Sequence, residues 1–123
     1  MHDAMKTLER LGTPRALVVG DLMLDRYTWG DATRVSPEGP VLVLRSDLDE
    51  VRPGGAASVA YLLAGLDAQV SVSGVVGRDA DGRTVRRLLD EAKINHVLVI
   101  DDDERVTTCK QRIVGRAANH PHQ

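Results

Sequence analysis

The sequence predicts an α/β fold with a mainly parallel sheet, because short apolar runs alternate with helical patterns along its 123 residues. The first run, residues 16–19, is continuously apolar and ends at Gly20, which is typical of a buried strand. The segment 55–66 is small and apolar on nearly all sides, which is typical of a buried helix. A chain of this length forms one domain or part of one.

The N-terminal part of the chain predicts one helix and three extended pieces. The helix is indicated by three apolar residues at helical spacing and by a glycine and a proline that end it: Met5, Leu8, Leu11, Gly12 and Pro14. After the strand at residues 16–19, residues 27–29 predict a short strand that ends in a turn at residues 30–31. Residues 41–45 predict a further extended piece.

The second half of the sequence has patterns typical of one helix and three strands. Asp79 or Asp81 caps this helix, and its apolar residues share one face: Val85, Leu88, Leu89 and Ala92. Apolar runs predict strands at residues 70–76, 97–100 and 106–114. The acidic residues 101–104 lack the spaced ligands of a metal site and predict a solvated loop. The tail, residues 117–123, has no periodicity, and a frayed end is preferred to a metal site at its two histidines.

The composition excludes several classes of function. A net charge of −2 with interspersed signs gives no electrostatic case for binding nucleic acid or an anionic membrane. No apolar run approaches the ~18 residues that span a bilayer, and the first residues lack the pattern of a signal peptide. Cys109 is the single cysteine, which fits a reducing cytoplasm, and its place in a predicted strand favours a structural thiol.

Two carboxylates stand just after the first predicted strand. Asp21 and Asp25 flank three apolar residues, and ligands of α/β sheets bind at the carboxyl ends of the strands. Carboxylates there accept strong, charge-assisted hydrogen bonds from hydroxyl groups such as those of a sugar. The same spacing fits aspartates that only cap a loop.

A glycine pair precedes the predicted small-residue helix. Gly54 and Gly55 allow a ligand to approach the backbone, and the helix N-terminus offers free N–H groups. A glycine pair is also common in tight turns. The sequence contains neither the dinucleotide motif G-x-G-x-x-G nor a Walker sequence, which argues against those nucleotide sites in this segment.

Two cations share one face of the last predicted strand. Lys110 and Arg112 have a spacing of two, so both side chains point to the same side. Together they are suited to holding a sugar phosphate. A solvated strand face explains them equally well.

Taken together, these residues resemble the ribokinase-like (PfkB-type) carbohydrate kinases. Within that group they are most similar to the heptose 7-phosphate kinases, which occur alone or as the N-terminal part of a bifunctional heptose kinase/adenylyltransferase. The resemblance extends from about Arg15 to Arg116, and the Ser-Pro-Glu-x-Pro stretch at residues 36–40 is specific to this branch. Four segments carry it: residues 19–27, 34–41, 52–57 and 107–112.

The resemblance implies a fold and a set of binding residues. Residues 1–123 would form the N-terminal part of a ribokinase-like three-layer fold, namely the sugar-binding half of a kinase domain with a small β lid. Ser58 replaces the asparagine usual in the family. The resemblance implies that Asp21, Asp25, Gly54 and Gly55 contact the hydroxyls of the sugar. Ser58, Lys110 and Arg112 complete the set of residues expected to bind the substrate.

The resemblance also implies cofactors and partners. ATP and Mg²⁺ would serve the complete enzyme, and neither is expected to bind to this chain independently. The family's base lies in a Gly-Ala-Gly-Asp motif that these 123 residues lack, so no catalytic residue is assigned. The lid strands are expected to form a homodimer.

Three hypotheses of function follow. The first is the sugar-binding portion of an ATP-dependent kinase that phosphorylates the anomeric hydroxyl of a heptose 7-phosphate, in the biosynthesis of ADP-heptose for the lipopolysaccharide core. The second is a non-catalytic module for sugar-phosphate binding or dimerisation. The third is an inactive truncated remnant.

Overall fold

The structure is a computed structural model that describes residues 2–117 and 120–122. Helices and strands follow one another in a mixed order. In sequence they are α1 (His2–Arg10), β1 (Arg15–Val19), β2 (Leu22–Val35), β3 (Leu42–Gly55), α2 (Ala56–Gly65), β4 (Gln69–Gly77), α3 (Ala80–Glu91), β5 (Asn95–Asp102), β6 (Thr108–Ala117) and β7 (His120–His122).

The first sheet, sheet A, is parallel and has the strand order β1-β4-β5. Helix α3 connects β4 to β5, because parallel neighbours need a crossover. The predicted α/β class with a parallel sheet is thereby confirmed. The predicted N-terminal helix is present as α1, although its apolar residues Met5 and Leu8 are exposed.

The core lies between sheet A and helices α2 and α3. Its fully buried side chains include Val72, Val76, Val85 and Leu89. The prediction that the helix at residues 55–66 is buried all round is wrong for the residues described. Ala57 and Ala60 are buried, but Val59, Leu62 and Leu66 are 47%, 70% and 76% exposed. An apolar composition does not specify which sides of a helix find a partner.

The second sheet, sheet B, has the strand order β3-β2-β6-β7 and holds the segments expected to form a lid. Strands β2 and β3 form an antiparallel hairpin, and β6 runs parallel to β2. The predicted turn at residues 30–31 is wrong, because the pairing continues there through two register shifts. The chain reverses instead at residues 36–41, where Ser36 N–H donates to the Val41 carbonyl at 2.7 Å.

The side chains at the start of strand β2 alternate between the core and the opposite face of sheet B. Leu22 and Leu24 are fully buried in the core, and Val51 and Cys109 from the neighbouring strands pack against the same core. Burial raises the pKa of the Cys109 thiol, which agrees with the predicted structural role.

The N-terminus of α3 is joined to the start of β6 by Asp79 and Thr107. The Asp79 side chain accepts hydrogen bonds from Gly82 N–H at 2.7 Å, Thr107 N–H at 2.8 Å and the Thr107 hydroxyl at 2.6 Å. The Thr107 oxygen also accepts from Gly77 N–H at 2.8 Å, and Thr107 is 3% exposed. Asp79 is therefore the helix cap, whereas Asp81 pairs with Arg26 at 2.7 Å.

The backbone of the tail pairs with sheet B, since β7 is antiparallel to β6. The prediction of a frayed end is wrong for this backbone, while the histidine side chains named for metal binding lie outside the described residues. Within the described part of the chain, no helix combines the length and apolarity that crossing a membrane requires.

We expect Thr107→Val to lower the free energy of unfolding by about 1–3 kcal/mol, because it leaves buried polar groups without their partner. Urea denaturation measures the change. Thr33→Val, at an exposed position of β2, is the matched control and should stay within about 0.5 kcal/mol of the parent. Equal stability of the two variants would show that the Asp79–Thr107 contact does not stabilise the fold.

We expect the stabilisation by Asp79 to depend on pH. Hydrogen bonds from Thr107 lower the pKa of Asp79 in the folded state. Because the folded value is below the unfolded value of about 3.9, the stabilisation is complete above that pH and is lost as the pH falls through the folded pKa. Urea unfolding of the parent and Asp79→Asn should therefore differ at about pH 6 and converge toward about pH 2. A difference that is constant across this range would exclude the charge of Asp79 as its source.

Candidate functional site

The site lies where β1 passes into β2 and where β3 passes into α2. Asp21 follows β1, its side chain is exposed, and its main-chain carbonyl accepts the Ala56 N–H at 2.8 Å. Gly55 has a φ of +58°, and a Cβ there would lie 2.4 Å from the same carbonyl. Gly55 is thus required for the turn that places the N-terminus of α2 beside Asp21.

Asp25 was expected just after the first strand and lies within the second one, β2. It is directly opposite Arg52 on β3 and Lys110 on β6. Its side chain is 22% exposed, and Lys110 Nζ is 3.5 Å from Oδ1. This oxygen is buried and has no hydrogen-bond partner within the described residues. An unpartnered buried acceptor costs about 1–3 kcal/mol, which a ligand hydroxyl would offset.

Gly54 provides the space that the Asp25 carboxylate occupies. It is buried opposite Met23 at the end of β3. A Cβ at this position would lie 2.9 Å from Asp25 Oδ1 and 2.9 Å from the Met23 side chain. The glycine pair therefore has two separate roles, one at the carboxylate and one at the helix turn.

Ser58 lies in the first turn of α2. Its hydroxyl donates to the Gly55 carbonyl at 2.8 Å. The proton is used within the helix, so the oxygen is left to accept a hydrogen bond from a ligand rather than to donate one.

Lys110 and Arg112 share one face of β6, in agreement with their spacing. Lys110 is opposite Asp25, and Arg112 is opposite Tyr27. The Arg112 Cζ lies 5.7 Å from the centre of the Tyr27 ring. Arg112 has no ion pair within the part of the chain that the structure describes. We call the side of sheet B that carries Asp25, Tyr27, Arg52, Lys110 and Arg112 the site face.

Arg52 and Tyr27 also lie on the site face, although neither was predicted from the sequence as a site residue. The Arg52 Cζ lies 4.7 Å from the centre of the Tyr27 ring, and its Nη2 is 2.8 Å from Glu50 Oε2. Alternate residues of a strand lie on one face, so a strand that ends at Gly54 would place Arg52 and Glu50 beside it. Pro53, however, argues against a strand at these residues. The proline is tolerated because β3 is an edge strand.

The described residues offer no preformed metal centre. No group of three or more His, Cys, Asp or Glu side chains among them is arranged to hold a metal ion. A cleft of about 650 Å³ is lined by residues that include Arg15, Gln69 and Asn95. These residues begin β1, β4 and β5, so the cleft lies at the amino ends of the strands, away from the site face and from the usual ligand position.

Known proteins match this chain along most of its length. The family described as pfkB family carbohydrate kinase matches residues 14–120. The D-beta-D-heptose 7-phosphate kinase of Bordetella bronchiseptica is 49% identical over 108 residues, which are 88% of this chain and 34% of that enzyme. The bifunctional protein HldE of Citrifermentans bemidjiense is 47% identical over 111 residues, which are 90% of this chain and 22% of that protein. The chain thus spans about a third of the one relative and about a fifth of the other.

Solved structures confirm the predicted ribokinase-like fold. A carbohydrate kinase from Agrobacterium tumefaciens has a TM-score of 0.68 at 21% identity, over 87% of this chain and 33% of that one. The ribokinase of Arabidopsis thaliana, complexed with ribose and ATP, has a TM-score of 0.64 at 19% identity, over 89% of this chain and 34% of that one. At such identities these structures show the fold alone. The family match over residues 14–120 establishes that the chain belongs to the pfkB family of carbohydrate kinases.

Proposed function

We propose that this chain is the sugar-binding portion of an ATP-dependent kinase that phosphorylates the anomeric hydroxyl of a heptose 7-phosphate. The reaction would serve the biosynthesis of ADP-heptose for the lipopolysaccharide core. The observation that carries the proposal is the buried, unpartnered Oδ1 of Asp25 beside Lys110. Membership of a family of carbohydrate kinases and the 49% identity to a heptose 7-phosphate kinase support this choice of substrate.

In this proposal the carboxylates bind the hydroxyls of the sugar. Asp25 Oδ1 accepts one hydroxyl in a buried setting, where a charge-assisted bond is strong. Asp21 is exposed at the end of β1 and accepts a second one. Gly54 makes room for the Asp25 carboxylate, Gly55 forms the turn into α2, and Ser58 offers its oxygen as an acceptor.

The phosphate of the substrate is assigned to Lys110 and Arg112. Both lie on the site face, and Lys110 adjoins the carboxylate that binds the sugar. Successive residues on one face of a strand are about 7 Å apart. The row of Asp25 and Lys110 is therefore about 7 Å from the row of Tyr27 and Arg112, so a sugar at Asp25 and a phosphate that reaches Arg112 fit two neighbouring rows of the site face.

ATP and Mg²⁺ belong to the proposed reaction of the complete enzyme, and we assign neither to residues of this chain. The described residues supply no cluster of ligands for the metal. What they contribute is the binding and orientation of the sugar phosphate and, through sheet B, exclusion of water from it. A cytoplasmic location is part of the same proposal, because ATP and the sugar phosphate are cytoplasmic metabolites.

The proposed function is tested with a chimera. Residues 14–120 replace the matching segment of the Bordetella bronchiseptica enzyme, and phosphoryl transfer from ATP to heptose 7-phosphate is measured. We expect activity, and we expect Asp25→Asn to lower kcat/KM by about tenfold or more, because a charged acceptor is lost. Asp21→Asn should lower it as well.

Asp67→Asn is the matched control for these variants. Asp67 lies in an exposed turn with a φ of +65°, which asparagine adopts readily. Its kcat/KM should equal that of the parent chimera. Unchanged kcat/KM in both site variants would reject the assignment of the carboxylates. An inactive chimera, together with sugar-phosphate binding by the chain itself, would favour a non-catalytic binding module.

A homodimer through sheet B is the proposed assembly. Exposed apolar side chains support it, and they cluster around the β2–β3 turn: Val35, Val41, Leu42 and Val43. We expect Leu42→Asp to convert a dimer into a monomer in sedimentation velocity. Leu66→Asp, at an exposed apolar position beside α2, is the control and should leave the sedimentation coefficient unchanged. A parent chain that sediments as a monomer at all concentrations would reject this assembly.

A further inference from the structure

Three side chains on the site face form an aromatic–cationic cluster. The ring of Tyr27, on the central strand β2, is approached by Arg52 from β3 and by Arg112 from β6. The guanidinium carbons lie 4.7 Å and 5.7 Å from the ring centre, within the range of a cation–π interaction. We call Tyr27, Arg52 and Arg112 the arginine–tyrosine cluster.

The arginine–tyrosine cluster adjoins the row that holds the orphaned carboxylate. Arg52, Asp25 and Lys110 face one another across three strands, and Tyr27 and Arg112 form the next row on the same face. Arg52 is therefore beside Asp25 in one direction and over Tyr27 in the other.

Contact with the Tyr27 ring preorganises the two arginines for binding an anion. A guanidinium that lies over a ring keeps its N–H edge free, and this edge donates to two oxygens of one phosphate at once. Contact with the ring also restricts the long side chain beforehand, so less conformational entropy is lost when the anion binds. Two guanidinium groups on one ring thus make a better phosphate site than two independent surface cations.

Glu50 already occupies part of this donor set. Its Oε2 accepts from Arg52 Nη2 at 2.8 Å, and both side chains are partly exposed. The pair satisfies Arg52 when no ligand is bound, and an exposed ion pair is weak. A phosphate dianion carries more charge and more acceptor oxygens than one carboxylate, so it competes effectively for the same guanidinium.

We propose that Arg52 is a phosphate-binding residue, held over Tyr27 beside Arg112, and that Glu50 is the internal anion that the substrate phosphate displaces. This inference rests on the proposed function and extends it by naming the residues that distinguish a phosphorylated sugar from its unphosphorylated form. Lys110 and Arg112 complete the set of donors, while Asp25 binds the sugar itself.

The test measures binding to this chain by isothermal titration calorimetry. The probes are heptose 7-phosphate, the unphosphorylated heptose, fructose 6-phosphate, fructose and inorganic phosphate. We expect Arg52→Met to lower the affinity for heptose 7-phosphate by about tenfold or more, because two charge-assisted bonds are lost. The affinity for the unphosphorylated heptose should be unchanged. Arg34→Met, at an exposed position near the far end of β2, is the matched control and should bind like the parent.

Two further variants test the roles of the neighbours. Glu50→Gln should raise the affinity for heptose 7-phosphate by about two- to fivefold, because the competing ion pair is removed. Tyr27→Phe should bind like the parent, because the guanidinium contacts the ring and not the hydroxyl. Tyr27→Leu removes the ring and should lower the affinity for the phosphorylated ligand severalfold. Circular dichroism and urea midpoints equal to the parent's establish that each variant is folded.

The outcomes separate this inference from the proposed function. If the chain binds fructose 6-phosphate instead, and Arg52→Met weakens it selectively, the heptose substrate is wrong and the role of Arg52 holds. If heptose 7-phosphate binds but Arg52→Met weakens it no more than the unphosphorylated heptose, the role of Arg52 is wrong and the proposed function holds. Tight binding of inorganic phosphate alone would identify an anion site without a sugar site. If no phosphorylated ligand binds the parent, the role of Arg52 is overturned, and the activity of the chimera decides the proposed function.

Discussion

The arrangement of the site depends on the burial of Leu22 and Leu24 in the core. Side chains of a strand alternate between its two faces, so fixing these leucines inside fixes Asp25 and Tyr27 on the opposite side. A slip of one residue would bury Asp25 and expose Leu24, at a cost far above the strength of any single contact on the site face. The hydrophobic core therefore selects the register in which the polar residues of three strands meet.

Three connections then hold sheet B in place against the rest of the fold. The Asp21 carbonyl receives the first N–H of α2, the Arg26–Asp81 ion pair joins β2 to α3, and Asp79 with Thr107 joins α3 to the start of β6. Hydrogen bonding to Asp81 is the main cause that raises the pKa of Arg26, so this guanidinium stays charged throughout the physiological range. Each strand that contributes to the site face is thus tied to a helix near one of its ends.

Local chemistry made part of this arrangement predictable. Asp79 and Asp81 both precede an apolar helix face, so spacing predicted a cap at one of the two and the structure selects Asp79. Lys110 and Arg112 are two residues apart in an apolar strand, so their shared face followed from spacing alone. Pairing across strands is not a local property. Gly30 and Asp31 favour a turn, yet the hairpin continues past them because the partner strand supplies hydrogen bonds through a bulge. Pro53 argues against a strand at the residues that include Arg52, because proline cannot donate a hydrogen bond within a sheet. The edge position of β3 makes this proline compatible with the sheet.

The composition of the site face favours a ligand with two chemically different ends. Asp25 keeps a buried oxygen that accepts no hydrogen bond from the described residues, and such an acceptor costs about 1–3 kcal/mol out of a total stability of about 5–15 kcal/mol for a typical domain. Lys110, at 3.5 Å, lessens this cost but leaves the oxygen free to accept. Around that acceptor stand Arg52, Lys110 and Arg112, which only donate. A neutral sugar satisfies the carboxylate and leaves the cations with water, and a simple anion does the reverse. A sugar phosphate satisfies both groups in one binding event, which is the physical reason to look for the substrate among phosphorylated sugars.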